Sequence, residues 1–71
     1  MNFTERLLEL RNNHNITQKQ VAEGIKSAMI SYQRYEYGQR EPTLQKLIAL
    51  ADYFNVSLDY LVGRSDNPEL H

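Results

Sequence analysis

The stretch from Ile16 to Gly38, ITQKQVAEGIKSAMISYQRYEYG, contains two short segments of apolar periodicity separated by Lys26 and Ser27. In each segment the apolar residues recur three or four positions apart, which is typical of a helix with one buried face. The first segment begins at Thr17, and Thr17 and Gln20 have the spacing of a capping box. The stretch therefore predicts two short helices joined by a tight turn.

These two helices have predictable inner faces and limits. The inner face of the first consists of Val21, Ala22 and Ile25, and the small Ala22 permits a close approach of the two helices. The second helix is expected over about 28–37. Gly38 ends it, because glycine readily adopts the left-handed conformation that terminates helices.

The flanking sequence also predicts only helices. A first helix is expected over about 2–13, and a short fifth helix is expected with Ser57 as its N-cap and Gly63 as its end. The fourth helix opens at Pro42 and Thr43, with Thr43 as its N-cap. Its apolar stripe is the clearest in the chain and consists of Leu44, Leu47, Ile48, Ala51 and Phe54. No strand pattern or repeat appears, so the expected fold class is all-α, a compact five-helix domain.

Length and composition limit the function classes. The chain has 71 residues, which is one domain, and it contains no cysteine. Its longest purely apolar run, 47–51, is far shorter than the roughly 20 residues of a membrane span. No N-terminal segment resembles a secretion signal. A cytoplasmic protein without membrane association is expected.

The charges are unevenly placed although the formal net charge is only -1. Five basic and three acidic residues lie between Thr17 and Lys46, whereas one basic and four acidic residues follow. A basic middle segment can bind phosphates even in a nearly neutral protein, because the local electrostatic field determines the attraction more than the net charge does. An ordinary soluble surface explains the same charges.

The residues of common enzyme and metal sites are missing from the sequence. His14 and His71 have no zinc-ligand spacing to each other or to a carboxylate. The three glycines are scattered, so no phosphate-binding loop is formed. We expect no enzyme activity, no metal, no cofactor and no small-molecule ligand.

Four runs of residues, in order and without gaps, resemble the helix-turn-helix domain of the Cro/phage-repressor (XRE) family of DNA-binding regulators. These runs are I-T-Q-x-x-V-A-E at 16–23, R-Y-E-x-G at 34–38, R-E-P-T-L at 40–44 and N-V-S-L-D-Y-L-V-G at 55–63. The resemblance covers about residues 3–63, with the helix-turn-helix motif at about 18–37. It implies the five-helix bundle of the lambda-repressor-like type, and it leaves 64–71 as a short flexible tail.

The resemblance implies that the third helix enters the major groove of double-stranded DNA while the second crosses the backbone. Tyr32 and Tyr35 then point inward, and the base-facing residues are Ser27, Ala28, Met29, Ile30, Gln33 and Arg34. Apolar side chains suit the thymine methyl group, Gln suits adenine, and Arg suits guanine or a phosphate. Alternatively, Met29 and Ile30 pack against a partner subunit or against the helix-turn corner.

Phosphate contacts are expected on both sides of the third helix, from Thr17, Gln18, Tyr37, Gln39 and Arg40. Thr17 can equally serve only as a cap, and Arg40 only as a solvated loop charge beside Glu41. Arg11 and Glu36 match a pair that the family uses as an internal salt bridge, which is a structural and not a functional role.

The sequence departs from the family pattern at three positions. Lys26 stands where glycine is usual, so a lysine must adopt the left-handed conformation, at about 1 kcal/mol. Ala28 stands where a serine or threonine usually caps the third helix, so Ser27 is expected to cap instead. Tyr32 stands where a branched aliphatic residue is usual, and it makes a larger wedge between the second and third helices.

One domain of this size covers a half-site, so the resemblance implies a symmetric homodimer. The candidate dimer contacts are Leu50, Tyr53, Tyr60 and Val62, which are otherwise scattered surface apolar residues. The expected function is that of a sequence-specific transcriptional regulator, a repressor on a symmetric operator. The alternative is a protein-binding module of the antitoxin or anti-repressor kind that keeps the same fold.

Overall fold

Five helices follow one another along residues 1–69, the part of the chain that the computed structural model describes. They are α1 (Phe3–Asn13), α2 (Gln18–Gly24), α3 (Met29–Glu36), α4 (Leu44–Phe54) and α5 (Leu58–Leu61). The described residues contain no strand, and the all-α, five-helix prediction is confirmed. The last two residues of the predicted tail, among them His71, lie outside the described residues.

Side-chain caps begin four of the five helices. Asn2, Thr17, Thr43 and Ser57 each accept a hydrogen bond from the backbone N–H three residues later. At Thr17 the capping box is complete, because the backbone N–H of Thr17 also donates to Gln20 Oε1 at 2.8 Å. The predicted caps at Thr17, Thr43 and Ser57 are confirmed, and such caps stabilise a helix by about 1 kcal/mol each.

The start of α3 differs from the expectation. Ala28 occupies the N-cap position with extended backbone, φ -64° and ψ 144°, and no side chain caps the helix. The prediction that Ser27 replaces the missing cap is wrong. Ser27 lies one position too early, and its hydroxyl donates to the carbonyl of Ala28 at 3.1 Å.

The turn between α2 and α3 depends on Lys26, which adopts the left-handed conformation with φ 57°. The backbone N–H of Ser27 then reaches back to the carbonyl of Ala22 at 2.8 Å, which closes the C-terminus of α2. The expectation for Lys26 is therefore confirmed. A glycine at this position would make the same sharp turn with less backbone strain than the lysine does.

The core lies between α3 and the surrounding helices. Tyr32 is fully buried, as are Leu7, Val21, Leu50 and Leu61. The remaining buried apolar residues are Leu10, Ala22, Ile25, Tyr35, Ala51, Phe54 and Val56. Tyr32 thus forms the predicted large wedge, which anchors α3 from its inner side.

The buried face of α4 matches the predicted stripe only at Leu47, Ala51 and Phe54. Leu44 and Ile48 are 66% and 42% exposed, whereas Leu50 is fully buried. The helix carries two overlapping apolar stripes, and the core takes the one that contains Leu50 and Phe54. Two of the five predicted core residues of α4 are therefore on the surface. Leu50 is excluded as a dimer contact because the protein's own core covers it.

A close approach fixes α2 against α4. A Cβ atom at Gly24 would lie 2.2 Å from Cε1 of Tyr53, so any other residue at the end of α2 would displace that ring. The aromatic ring of Tyr53 packs edge to face on Phe54, with centroids 5.2 Å apart. Tyr53 is thereby engaged within the protein although it is 37% exposed.

The described part of the C-terminal segment, 64–69, makes contacts with the helical domain. The carbonyl of Pro68 accepts from the backbone N–H of Ser57 at 3.0 Å. Asp66 Oδ1 lies 3.4 Å from Nη2 of the buried Arg6, whose guanidinium stacks on the ring of Tyr60 at 3.6 Å. The domain boundary at residue 63 and the flexibility of the tail remain predictions.

Candidate nucleic-acid interface

The outer face of α3 and the turn before it contain all six predicted base-facing residues. Ala28, Met29, Ile30 and Arg34 are exposed, and Ser27 and Gln33 are half-buried. The opposite face of the same helix carries Tyr32, Tyr35 and Glu36, all buried. The helix therefore has one face anchored in the core and one face available to a partner.

Met29 and Ile30 are the apolar part of the exposed face. Their exposed fractions are 39% and 56%. The helix-turn corner therefore leaves Ile30 more than half exposed, so packing against that corner, one of the two alternative explanations, does not account for Ile30. Exposed aliphatic side chains at the start of a helix can contact thymine methyl groups in the major groove.

The five predicted phosphate contacts lie before and after α3 in the chain, at the start of α2 and in the segment that follows α3. Thr17 and Gln18 stand at the start of α2, where the capping box occupies the backbone N–H groups of Thr17 and Gln20. Tyr37, the C-cap of α3, is 61% exposed. Gln39 and Arg40 follow in an exposed loop, and within residues 1–69 Arg40 has no ion-pair partner.

An ion pair joins α1 to the end of α3. Nε and Nη2 of Arg11 donate to the two carboxylate oxygens of Glu36, the second at 3.3 Å. The side chain of Glu36 is only 1% exposed and that of Arg11 19%. The hydrogen bond to Glu36 raises the pKa of the Arg11 guanidinium above its ordinary value, so Arg11 stays charged. This is the structural pair that the resemblance implies.

Two glutamine side chains extend this pair to the outer face of α3. Gln18 Nε2 donates to Glu36 Oε1 at 2.9 Å, and Gln33 Nε2 donates to Gln18 Oε1 at 3.2 Å. We call the chain Arg11–Glu36–Gln18–Gln33 the glutamine relay. Sequence reasoning gave the Arg11–Glu36 pair but missed its extension through Gln18 and Gln33, because these residues come from different helices and no spacing along the chain connects them. The only available signal was the placement of Gln18 and Gln33 on facing surfaces of α2 and α3.

The hydroxyl of Tyr32 lies beside this network but outside it. It is buried and has no hydrogen-bond partner within the described residues. Burial, together with the neighbouring Glu36 carboxylate, raises the pKa of Tyr32 above its ordinary value of 10.0. The tyrosine therefore stays neutral and acts as an apolar wedge.

Within residues 1–69, no group of three or more histidine, cysteine, aspartate or glutamate side chains is placed to hold a metal ion. None of the helices in this part of the chain is long and apolar enough to cross a membrane.

Comparisons with known proteins place these features in a family. The family model described as helix-turn-helix matches residues 7–61. YobD, an uncharacterized HTH-type transcriptional regulator of Bacillus subtilis, is 42% identical over 67 residues, which cover 94% of this chain and 60% of YobD. RstR, a transcriptional repressor of the cryptic phage CTXphi of Vibrio cholerae, is 40% identical over 73 residues, covering 99% of this chain and 65% of RstR. The chain thus spans less than two thirds of the length of these relatives.

Two solved structures share the fold. A transcriptional regulator from Listeria innocua superimposes with a TM-score of 0.81 at 38% identity, covering 86% of this chain and 57% of that one. The P22 c2 repressor, determined in complex with a synthetic operator, superimposes with a TM-score of 0.84 at 23% identity. This second match covers 92% of this chain and 98% of the repressor, and it shows the fold alone. The chain belongs to the Cro/phage-repressor (XRE) helix-turn-helix family, whose members are DNA-binding transcriptional regulators and not enzymes.

Proposed function

We propose that this chain binds double-stranded DNA sequence-specifically through α3 and acts as a transcriptional repressor. The proposal rests on the exposed outer face of α3, whose inner face is held in the core by the buried side chains of Tyr32 and Tyr35. A helix held in this way presents its first residues to base edges in the major groove. The relatives are bacterial or phage proteins, so we place the protein with the DNA in the cytoplasm.

Each exposed residue of this face has a chemical role in the proposal. Met29 and Ile30 contact thymine methyl groups, and Arg34 donates to guanine or to a phosphate. Ser27 and Ala28 lie at the start of the helix, where short side chains allow the backbone to approach the bases closely.

The remaining predicted contacts fix the register of the protein on the DNA. The side chains of Thr17 and Gln18 lie at the start of α2, and those of Tyr37, Gln39 and Arg40 follow α3. In the proposal they bind phosphates on the two sides of the groove. Such contacts contribute affinity and orientation but not sequence preference.

We further propose that two copies bind a symmetric operator through an apolar surface on α4 and α5. Ile48 and Leu58 are 42% and 38% exposed and line one surface hollow, and Leu44 lies one turn before Ile48. A second copy of the chain would bury these side chains. Among the contacts predicted from sequence, Tyr53, Tyr60 and Val62 keep partial exposure and remain candidates.

Selection of binding sites from random duplex DNA at near-physiological salt tests the proposal. We expect an inverted repeat whose half-sites lie about one helical turn apart. Met29→Ala should relax T-rich positions of the half-site, whereas Leu58→Glu should leave the half-site unchanged but abolish the repeat. Sedimentation that shows only monomers on the selected DNA would contradict the dimer.

A second function, binding another protein in the manner of an antitoxin or anti-repressor, is favoured by the exposed Met29 and Ile30 and by the net charge of -1. Salt dependence separates the two functions. DNA binding weakens steeply with salt because counterions are released. An apolar protein contact hardly responds to salt, and a folded protein that enriches no DNA sequence would support this second function.

A further inference from the structure

The first turn of α3 begins without a capping side chain. Ala28 occupies the N-cap position, and its methyl group accepts no hydrogen bond. The first backbone N–H groups of a helix have no partner within the helix, and a capping side chain normally binds them. The other four helices of residues 1–69 each begin with such a side chain. Met29 and Ile30 therefore lie on a turn that is weakly held from within its own helix.

The turn that leads into α3 is also strained. Lys26 has φ 57°, a conformation that any side chain disfavours. A residue keeps such a conformation only where the surrounding structure holds it there. The hydrogen bond from the backbone N–H of Ser27 to the carbonyl of Ala22 contributes, but it closes α2 and does not reach α3. The position of the first turn of α3 therefore depends on what else holds the chain at Lys26.

Lys46 of α4 supplies this further contact. Its Nζ donates to the carbonyl oxygens of Ile25 and Lys26, at 2.9 and 3.0 Å. These carbonyls belong to the two peptide groups that flank the Cα of Lys26, so a contact to both restricts the φ and ψ angles of that residue. Hydrogen bonds from a charged donor are roughly twice as strong as neutral ones. Lys46 thus holds the turn at the residue where the backbone is strained.

The rest of α3 is held in a different way. Tyr32 and Tyr35 are buried in the core, and Glu36 is bound in the buried ion pair with α1. Arg34 lies among these residues, so the core holds its backbone independently of the turn. The contact of Lys46 therefore acts on the start of α3.

We propose that Lys46 is a positioning residue for DNA recognition, which holds the first turn of α3 through the turn at Lys26 and thereby prepares Met29 and Ile30 to meet the bases. Side chains that are ordered beforehand lose less conformational freedom when they bind. The ammonium group of Lys46 binds the protein's own carbonyl oxygens and contacts no base in this arrangement. This inference rests on the proposed function of sequence-specific DNA binding.

The first test needs no DNA and compares backbone amide hydrogen exchange at the two ends of α3. The N–H of Tyr32 donates to the carbonyl of Ala28 at 3.1 Å in the first turn, and the N–H of Tyr37 donates to that of Gln33 at 3.0 Å in the last. We expect Lys46→Met to speed exchange at Tyr32 by a larger factor than at Tyr37. Equal factors would mean that Lys46 affects overall stability alone, and they would overturn the inference.

Gln45→Met is the matched control, because Gln45 is the exposed neighbour of Lys46 on α4. We expect its exchange rates to equal those of wild type. If Lys46→Met does not fold, Lys46→Gln takes its place, since the shorter side chain cannot reach both carbonyls.

The second test measures affinity for the selected DNA site and for sites with each base at the positions that depend on Met29 and on Arg34. We expect Lys46→Met to lower the affinity for the selected site by about threefold to thirtyfold. The preference at the Met29-dependent positions should weaken, whereas the preference at the Arg34-dependent position should stay. Gln45→Met should bind as wild type does.

Salt dependence shows whether Lys46 acts on the protein or on the DNA. Loss of one phosphate contact changes the slope of the logarithm of affinity against the logarithm of salt concentration by about one. We expect Lys46→Met to have the slope of wild type. A shallower slope would make Lys46 a phosphate contact and overturn the inference.

A cap added to α3 should reduce the need for Lys46. Ala28→Ser supplies a side chain that can accept from the first turn. The loss of affinity caused by Lys46→Met should therefore be smaller when both compared proteins carry Ala28→Ser, a comparison in which any direct effect of Ala28→Ser on DNA cancels. An equal loss in the two backgrounds would contradict an action through the first turn.

The outcomes separate this inference from the proposed function. If wild type selects a site and Lys46→Met binds it with the same affinity and preferences, the inference is overturned. An equal loss of preference at the Met29-dependent and Arg34-dependent positions overturns it as well. If wild type enriches no sequence at all, the proposed function itself fails, and hydrogen exchange still decides whether Lys46 holds the first turn of α3.

Discussion

The ammonium group of Lys46 lies 3.0 Å from the carbonyl oxygen of Lys26, so a cation on α4 holds the turn that separates α2 from α3. The same group donates to the carbonyl of Ile25 at 2.9 Å. These carbonyls belong to the C-terminal end of α2, where the helix has free acceptors and a partial negative charge. The end of α2 and the turn that follows it are thus tied to α4 by a charged side chain.

Replacement of Lys46 by methionine should lower the free energy of unfolding by roughly 1–2 kcal/mol. The substitution removes two charge-assisted hydrogen bonds but keeps the length of the side chain. Urea unfolding measures the change. Lys19→Met is the matched control, since Lys19 is an exposed lysine on α2. Equal unfolding midpoints for the two variants would show that the contact is not stabilising.

Ala28→Ser should stabilise the protein by about 1 kcal/mol, because it supplies the cap that α3 lacks. The backbone of Ala28 already has the extended conformation that a capping residue needs, so no rearrangement is required. Thermal unfolding should show a rise in Tm of roughly 4–8 °C. Ser27→Ala, which removes a hydroxyl that caps nothing, should leave Tm nearly unchanged. A fall in Tm of similar size on Ser27→Ala would mean that Ser27 caps α3 in solution.

Arg11→Met should lower the free energy of unfolding by roughly 3–5 kcal/mol, because it leaves the buried Glu36 without its cation. The double variant Arg11→Met, Glu36→Leu should be more stable than either single variant, since it removes both charges. Arg64→Met provides the comparison on the surface, where Arg64 is 79% exposed and 3.7 Å from Asp59. We expect that change to cost less than about 1 kcal/mol. Additive effects of the two core substitutions would contradict direct coupling.

Tyr32→Phe should leave stability at neutral pH unchanged or slightly raised, because the lost hydroxyl has no partner among the described residues. Its effect appears at alkaline pH. Burial raises the folded-state pKa of Tyr32 above 10.0, so the unfolded chain releases this proton at a lower pH than the folded protein does. The free energy of unfolding therefore falls as the pH rises above 10.0. Urea unfolding between about pH 10 and pH 12 should show a smaller loss for Tyr32→Phe than for wild type. Tyr37→Phe, at a side chain that is 61% exposed, should behave like wild type.

Helix ends were predictable from sequence where the signal is local. Thr17, Thr43 and Ser57 cap the helices that follow them, because a capping hydrogen bond spans only three residues. The left-handed turn at Lys26 was predictable from the family pattern. The missing cap at Ala28 was visible too, but the substitute proposed for it was wrong.

The faces of α4 and the glutamine relay were not predictable, for a shared physical reason. The predicted stripe of α4 is right at Leu47, Ala51 and Phe54, whereas Leu44 and Ile48 are exposed, and only the position of the other helices decides which side of α4 is buried. The contact of Gln18 with Glu36 likewise depends on how closely α2 and α3 pack. Local patterns determine the helices, whereas tertiary packing determines which side chains meet.

The exposed face of α3 has a consequence for how such a protein changes over evolutionary time. Met29, Ile30 and Arg34 are exposed, so substitutions there alter stability by no more than about 0.5 kcal/mol while they alter the surface that we propose binds DNA. New target sites can therefore arise through single mutations without loss of the fold. Gln33 is less free to vary, because it is bound through Gln18 to the buried ion pair. Under the proposed function, operators in a lineage of these proteins should diverge first at the bases assigned to Met29 and Ile30 and last at the base assigned to Gln33.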